Sequence, residues 1–308
     1  MIDRALDSVS EDVTAADPAP GTAAAHAAER AFTSVAALAD VLLMARETPL
    51  ALLTSGNLAA GEKRRMTDVG LPVDIVDELA AIALDAALVT ADERQLRLTS
   101  AGEKWLRLAA AERWAQLAEA FRTALPRGLH SASGGWLPVS QWADQHPWDP
   151  SWDERCAVLR ERAGMLGLIA DGDTEPGWAV TLREGAPADA AALNQMLPTE
   201  VDRIFLQNDL TAIAPGPLAS ALDVRLRSIA VRESAAQASS YRFTAESISH
   251  ALAEGETAAS ILDFLSELSL TGSRNPSSTS SARPRSAMAS CEFSRMQSRV
   301  APASPAVT

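Results

Sequence analysis

The stretch VDRIFLQNDLTAIAPGPL, residues 201–218, decides how the chain is interpreted. Its first part holds apolar residues within a short run rich in strand formers, which predicts a strand over 203–214. The Pro-Gly-Pro sequence at 215–217 ends that strand. Leucines and an isoleucine then recur at helical spacing, and they predict a helix with a buried stripe over 218–229.

The residues that follow this helix complete a predicted βαβαα unit. A polar loop rich in Ala and Ser, residues 233–240, leads to a second predicted strand over 241–243. Thr244 is the expected N-cap of a helix that ends at Gly255, a residue type suited to the position after a helix. Thr257 is the expected cap of a last helix, whose apolar side lies within 261–268.

Two strings in this region carry a resemblance to a known family. FLQNDLTAIAPGPL and SSYRFTAESISHALAEGETAASILDFLSELSLTG, with the spacing between them, resemble the helicase-associated domain found N-terminal to XPB-type DNA helicases and in motor-less bacterial proteins. The resemblance covers residues 197–272 closely, and more loosely the region from about residue 38. The positions that carry the family motif are Gln207, Asn208, Asp209, Leu210, Pro215 and Gly216. The resemblance implies DNA binding, damage recognition or docking onto a helicase.

Length and charge limit the possible partners. A chain of 308 residues has room for two or three domains, and a hydrophobic content of 47% is enough for real cores. The net charge is −13, and residues 273–308 hold five Arg and one Glu, so the preceding body carries −17. Proteins that bind DNA through its phosphates carry a basic face, so this acidic body argues against strong non-specific binding to duplex DNA.

Other sequence features predict a non-catalytic, cytoplasmic protein. Cys156 and Cys291 lie far apart, and the four histidines lack metal-ligand spacing, so neither a disulfide nor a metal site is expected. The chain has no signal peptide, no 18-residue apolar run and no GxxxxGK[ST] phosphate loop. We therefore expect no membrane partner, no cofactor, no small-molecule substrate and no ATP-driven motor.

The predicted fold class is α+β and mainly helical, with tandem winged-helix-like units and a small βαβαα domain. The predicted segments are a disordered arm (1–30) with a short helical piece near 23–30, a winged-helix-like domain (31–126), a second such domain (127–197), the XPB-N-terminal-like domain (198–272) and a disordered tail (273–308). In the first unit, two short strands flank an acidic turn at Asp92-Glu93. Ser100 and Glu103 then fit a capping box for a helix that runs to about residue 125. In the second, GLIADGDTEPGWAVTL (167–182) is interpreted as strand, acidic turn and strand.

The tail changes character after Gly272 and becomes rich in Ser, Arg and Pro. The resemblance implies a further β-containing segment at this point, from which the sequence departs. We expect that the native continuation is lost through truncation or an altered reading frame, which would leave the 198–272 domain incomplete.

Two groups of basic residues are candidates for nucleic-acid contact. The first is the run Lys63, Arg64 and Arg65, which would meet phosphates or form a solvated helix face. The second is Arg203, Arg225, Arg227 and Arg232. They would line a nucleic-acid face or form salt bridges with Asp202, Asp223, Glu233 and Glu246.

Two further groups each leave two interpretations open. Gln207, Asn208 and Asp209 would contact a ligand or nucleotide, or their side chains would fix the neighbouring loop. Four tryptophans would form a stacking platform for single strands or anchor a core: Trp136, Trp142, Trp148 and Trp152.

The sequence thus predicts a helicase-associated protein that binds DNA through its winged-helix-like and XPB-N-terminal-like domains. The alternative is an adaptor that docks on a helicase or on a transcription or repair complex. The expected partner is accordingly DNA or a helicase or repair protein. A third possibility, an enzyme, would require a pocket of converging titratable groups.

Overall fold

The computed structural model describes residues 20–235 and 238–270. Within these residues helices predominate, and two small antiparallel sheets of three and four strands accompany them. The predicted fold class, α+β and mainly helical, is therefore confirmed. None of the described helices combines the length and the apolar character needed to cross a membrane.

The N-terminal unit combines three helices with the smaller sheet. Its elements are α1 (Pro20–Glu47), β1 (Leu50–Ala51), α2 (Ala60–Asp68), α3 (Val76–Asp85), β2 (Val89–Asp92) and β3 (Gln95–Leu98). Strand β3 lies between β1 and β2, and Val89 pairs with Leu98 at the base of the β2–β3 hairpin. Glu93 and Arg94, at positive φ, form the turn. The two strands predicted around the acidic turn are present, while the assignment as a winged helix stays a prediction.

Helix α1 begins earlier than the sequence predicts. Residues 20–30 lie in the arm predicted to be disordered apart from a short helical piece near 23–30, and in the structure they are all helical, as the first turns of α1; residues 1–19 lie outside the described part. Small buried residues explain the difference, since Ala27 and Ala31 allow another segment to approach closely. The segment that approaches α1 carries Gly167, at φ +63°. A Cβ at this position would lie 2.3 Å from the Ala27 carbonyl oxygen.

The helix predicted from Ser100 to about residue 125 is divided into α4 (Ser100–Trp105) and α5 (Ala110–Ala124). Thr99, rather than Ser100, caps α4 by accepting a hydrogen bond from the Gly102 amide at 3.1 Å. The break is stabilised by Arg113, whose buried guanidinium donates to the carbonyls of Trp105, at 3.2 Å, and Leu106. Burial lowers the pKa of Arg113 to about 10.

Residues 127–197 contain short helices and no strand that belongs to a sheet. They form 3-10 turns at 127–129, 139–141, 143–145 and 171–173, and helices α6 (Trp152–Met165), α7 (Gly177–Arg183) and α8 (Ala190–Asn194). The strands predicted within 167–182 are wrong, because that stretch forms a 3-10 turn and α7. Trp178, Ala179 and Leu182 are buried at helical spacing, not in alternation. The second winged-helix-like unit therefore lacks its wing.

The C-terminal module, residues 201–270, contains the four-stranded sheet and three helices. Its elements are β4 (Phe205–Leu206), β5 (Thr211–Ala214), α9 (Ser220–Ile229), β6 (Val231–Ala235), β7 (Ser239–Arg242), α10 (Ala245–Ala253) and α11 (Ala258–Leu268). The strand order is β4-β5-β7-β6. The caps at Thr244 and Thr257 are confirmed, and Gly255 has the expected positive φ of 103°.

Two predictions for this module are corrected. The single strand over 203–214 is a hairpin, because the chain turns at 207–210 with Leu210 at φ +63°. The predicted loop over 233–240 instead contributes to the β6–β7 hairpin. Strand β6 lies at the sheet edge and is polar, so the sequence had no apolar alternation to reveal it. The module is therefore ββαββαα.

The buried residues form two clusters. The first extends from α1 to α8 and also takes in Val224 of α9, so the segments predicted as two winged-helix-like units share one core. The indole of Trp114 in α5 links them directly by donating to the Leu166 carbonyl at 2.7 Å. The second cluster lies inside the C-terminal module, where Ile204, Tyr241 and Ile248 pack between sheet and helices.

Candidate nucleic-acid interface

The basic run on α2 is largely paired within its own unit. Lys63 forms an ion pair with Asp77 of α3, and Arg65 lies 2.8 Å from the Glu62 carboxylate on the same helix. Arg64 is exposed and has no ion-pair partner among the described residues. Of the three predicted phosphate contacts in this run, one is thus available without breaking an ion pair.

Two arginines on the surface of the C-terminal module also contact their own module. Arg203 donates to the Glu267 carbonyl and lies 3.9 Å from the Asp202 carboxylate. Arg225 lies 3.4 Å from Glu256, and its guanidinium carbon lies 4.4 Å from the centre of the Phe264 ring. Both side chains are partly exposed, at 49% and 42%, but their donors point back into the module.

The remaining two predicted contacts are largely shielded from solvent, with side chains 17% and 16% exposed. Arg227 of α9 and Arg232 of β6 both bind Asp40, which lies in the C-terminal half of α1 and is 6% exposed. The Arg227 Nη1 atom is 2.5 Å from Asp40 Oδ1, and Arg232 pairs with the second carboxylate oxygen. One carboxylate of the N-terminal unit therefore holds two cations of the C-terminal module.

A second acid completes this buried network. Asp223 lies 3.8 Å from Arg227 and accepts a hydrogen bond of 2.6 Å from the Tyr241 hydroxyl. Burial opposes the charge of Arg227, but Asp40 and Asp223 outweigh it, so its pKa is raised. Burial, reinforced by Asp223, raises the pKa of Tyr241, which keeps the hydroxyl a donor. Two acids and two arginines thus compensate one another's charges where little solvent reaches them.

The polar family-motif residues form the β4–β5 turn. The Thr211 hydroxyl lies 2.9 Å from Gln207 Oε1 and 2.5 Å from Asp209 Oδ1, and the Thr211 amide donates to the same Asp209 oxygen at 3.2 Å. These bonds lower the pKa of Asp209. Asn208 is exposed at the turn. The contacts correspond to the interpretation in which these side chains fix the loop.

Pro215 and Gly216 lie where the chain leaves β5 and passes Val201. A Cβ on Gly216 would be 3.2 Å from Val201 Cγ1, and the Val201 amide donates to the Pro217 carbonyl at 2.8 Å. Glycine therefore permits a close passage here, which brings the start of the module beside the end of its first hairpin.

Three of the four tryptophans proposed for stacking are buried. Trp136, Trp142 and Trp152 are at most 3% exposed, and Trp152 donates its indole N–H to the Trp142 carbonyl at 2.7 Å. Trp148 differs, because it is 80% exposed. The structure therefore contains no platform of four tryptophans.

Helix α3, which would be the recognition helix of a winged-helix unit, is acidic. It carries Asp77, Glu78 and Asp85 and no Lys or Arg. Arg162 of α6 lies 2.5 Å from Glu78 and 3.3 Å from Asp85, so α3 is tied to a neighbouring helix. Burial raises the pKa of Asp85, with Arg162 acting in the opposite direction.

Sequence reasoning missed two features. Asp40 lies inside the apolar run AALADVLLM, and an acid at a buried helix position requires a cation, so the pattern could have revealed it. Four exposed basic residues near the β2–β3 hairpin have no carboxylate partner among the described residues: Arg94, Arg97, Lys104 and Arg107. They are dispersed among acids in the sequence, so no charge run indicated them.

The comparisons with known proteins concern the C-terminal module. The model of a family described as helicase conserved C-terminal domain matches residues 204–276. No curated protein matches the chain. The matched range contains both hairpins of the four-stranded sheet and helices α9, α10 and α11. The match supports, at this coarser level, the resemblance of residues 197–272 to a helicase-associated domain.

Proposed function

We propose that this chain is a non-catalytic, helicase-associated adaptor that docks on a protein of a helicase, transcription or repair complex. One observation carries the proposal. Of the seven basic side chains expected to contact DNA, six are bound to carboxylates or carbonyls of the same chain. The resemblance to the XPB N-terminal domain supports a helicase as the partner, and the lack of a phosphate loop supports a non-catalytic role.

Charge pairing matters because phosphate binding draws its free energy from available cations. A cation that releases counterions from DNA contributes to affinity, whereas a paired cation must first give up its carboxylate. Arg227 and Arg232, with side chains 17% and 16% exposed, would also have to leave the protein interior. In helix-turn-helix proteins the recognition helix enters the major groove of DNA. Helix α3, which would have this role in a winged helix, is acidic and is therefore poorly suited to it.

The outer face of the four-stranded sheet offers a surface for a protein partner. Phe205 is paired with Ile213 across the β4–β5 hairpin, and Ile213 is paired with Ser240 of β7. Phe205 is 46% exposed. Leu270, which is 49% exposed, follows Ser269 along β4, where its amide donates to the Ile204 carbonyl at 2.9 Å. Aromatic and aliphatic side chains grouped on a surface are typical of protein interfaces.

The test is to capture partners of the tagged full chain by crosslinking in cells, identify them, and reconstitute the complex from purified proteins. We expect a helicase or a transcription or repair protein. Phe205→Ser should weaken the purified complex by about tenfold, as for an interface residue of moderate importance. Val73→Ser, at a position 53% exposed on the N-terminal unit, is the matched control and should leave the affinity unchanged. A chain that binds DNA tightly and no such protein would contradict the proposal.

One observation favours a second candidate function, DNA binding through the N-terminal unit. Arg94 and Arg97 on the β2–β3 hairpin and Lys104 and Arg107 at α4 are exposed without carboxylate partners. If the unit is a winged helix, the hairpin is its wing, and a basic wing contacts the DNA backbone. Replacing Arg94 and Arg97 by Gln would then weaken binding to every duplex sequence about equally.

A further inference from the structure

Trp148 projects from the tip of a tight turn between the last 3-10 turn before α6 and α6 itself. It is 80% exposed, whereas Trp142 and Trp152 on either side are buried. An exposed indole leaves a large apolar surface in water, and tryptophan is enriched among the residues that dominate binding energy at interfaces. The residue is therefore a candidate anchor for a ligand.

The turn that carries Trp148 is fixed on both sides. The Asp149 amide donates to the His146 carbonyl at 3.0 Å, with Pro147 between them, and Asp149 Oδ1 accepts bonds from the Ser151 amide, at 2.9 Å, and hydroxyl, at 2.8 Å. The His146 ring lies 4.3 Å from the Trp152 ring. A partner would thus meet an indole whose backbone is already ordered, which reduces the entropy lost on binding.

A glycine contact supports the same conclusion. The His146 ring covers Gly128, where a Cβ would lie 2.5 Å from Nε2 of the imidazole. The turn is therefore seated on the segment that follows α5, and any larger residue at position 128 would displace it.

The charges around Trp148 select the class of ligand. Residues 144–155 hold four carboxylates, namely Asp144, Asp149, Asp153 and Glu154, against one arginine. That arginine, Arg155, is paired with Asp149 at 3.3 Å and lies over the Trp152 ring. The next cation along the chain, Arg160, is paired with Asp173. Arg127, beside Gly128, is exposed. The surroundings of Trp148 remain acidic, which repels phosphates and attracts cations.

We propose that Trp148 anchors a binding site for an arginine- or lysine-bearing peptide segment of a partner protein. A guanidinium or ammonium group would stack on the indole face, and Asp144, Asp153 and Glu154 would pair with neighbouring charges of the same segment. Cations bind to the face of tryptophan more strongly than to other aromatic rings. This site is separate from the sheet face at Phe205 and does not depend on it.

The test is a fluorescence anisotropy titration of the full chain with a labelled nine-residue peptide of alternating Arg and Gly. Trp148→Ala removes no charge, so it separates the indole contact from the general attraction of an acidic protein. We expect this variant to bind about fivefold to tenfold more weakly, and Trp148→Phe to lie between it and the wild type. Val69→Ala, at a position 57% exposed on the N-terminal unit, is the control and should bind like the wild type.

Three results would overturn the proposal. The first is equal peptide affinity for wild type and Trp148→Ala, which would assign the binding to net charge alone. The second is binding of a labelled oligo-dT strand that is lost in Trp148→Ala, which would make the residue a base-stacking contact. The third is a Trp148 fluorescence contribution, measured as wild type minus Trp148→Phe, that acrylamide does not quench in the free chain, since the chain itself would then cover the indole.

Discussion

The arginines of the C-terminal module and those of the β2–β3 hairpin differ in whether they are paired within the protein. In the module, Arg227 and Arg232 are largely shielded from solvent and paired with Asp40, while Arg203 and Arg225 contact other residues of the module. On the hairpin, Arg94 and Arg97 face solvent without a carboxylate partner in the described part of the chain. The number of arginines clustered in a sequence therefore does not predict the positive charge available to DNA. That charge depends on which acids pair with the arginines in the folded protein.

The difference has an energetic basis. Taking an arginine out of water is unfavourable unless an acid compensates it, so Arg227 and Arg232 depend on Asp40 and Asp223. The hairpin arginines remain hydrated and need no partner. The buried network also joins α1 to the matched module, so its arginines stabilise the fold. The cations that remain available for binding are the exposed ones.

The largest expected effect is that of Asp40→Ala. The change leaves two buried arginines without their shared acid, which should lower the free energy of unfolding by about 3–5 kcal/mol. Urea unfolding followed by circular dichroism measures it. The control is Asp171→Ala, which removes an exposed acid 3.1 Å from both Arg30 and His26 and should cost under about 1 kcal/mol. An equal loss of unfolding free energy in the two variants would contradict the claim that the Asp40 pairs stabilise the fold more than the exposed Asp171 pairs.

Tyr241→Phe tests the other half of the network. It leaves Asp223 without the hydroxyl donor at 2.6 Å and should cost about 1–3 kcal/mol at neutral pH. Ser228→Ala, which removes an exposed hydroxyl bonded to the Arg225 carbonyl, is the control and should change the free energy of unfolding by under about 0.5 kcal/mol.

The raised pKa of Tyr241 also predicts a pH dependence. Above pH about 10 the unfolded tyrosine loses its proton while the folded one keeps it, so the stability that Tyr241 contributes falls as pH rises. Arg113, with its pKa lowered to about 10, acts in the opposite direction in the same range. The difference between wild type and Tyr241→Phe isolates the tyrosine, and it should begin to shrink near pH about 10 and fall above it by on the order of 1 kcal/mol per pH unit. A constant difference would contradict the assignment.

A smaller, local effect is expected at the cap of α10. Thr244→Ala removes the acceptor of the Ser247 amide and should cost about 1 kcal/mol, without changing the ion pairs. Ser249→Ala lies on the exposed side of the same helix and should change the free energy of unfolding by under about 0.5 kcal/mol. Comparison of the two thermal unfolding midpoints measures the cap. A loss as large as that of Asp40→Ala would show that the module depends on its caps more than on the network.

The smallest effect on stability is expected on the hairpin. Arg94→Gln with Arg97→Gln should change the free energy of unfolding by under about 0.5 kcal/mol, because neither side chain has a charged partner to lose. The same double variant tests the second candidate function. Loss of duplex binding in a gel-shift assay would favour DNA contact through the hairpin, and unchanged binding would exclude it.

Local features of the fold were predictable because their signals are local. Thr244, Thr257 and Gly255 act at helix ends as their residue types predict. The two strands predicted around an acidic turn are present, with Asp92 ending β2 and Glu93 and Arg94 forming the turn. The strands predicted within 167–182 failed because a short apolar run fits either a strand or a helix, and burial at 178, 179 and 182 decided for the helix. Strand β6 was missed because an edge strand forms through backbone pairing with β7 and needs no apolar pattern.

The candidate site was less predictable, since it depends on contacts between distant residues. The partners of Arg227 and Arg232 lie 187 and 192 residues away at Asp40, and no spacing rule connects them. The exposure of Trp148, against the burial of its neighbours, likewise depends on how the turn is seated on Gly128. Residue types indicated which chemistry was possible at these positions, and tertiary contacts determined which of it is available.

The most direct measurement is a fluorescence anisotropy titration of labelled duplex DNA with the wild type and with the Arg203→Gln, Arg225→Gln double variant over a range of salt concentrations. Both arginines belong to the C-terminal module, are partly exposed, and can be replaced without opening the buried network. If the module's arginines are committed to its own fold, the two proteins will bind DNA equally weakly and with the same salt dependence. An affinity about tenfold lower in the variant, with a salt slope reduced by about two, would show that these arginines contact phosphates and would contradict the account.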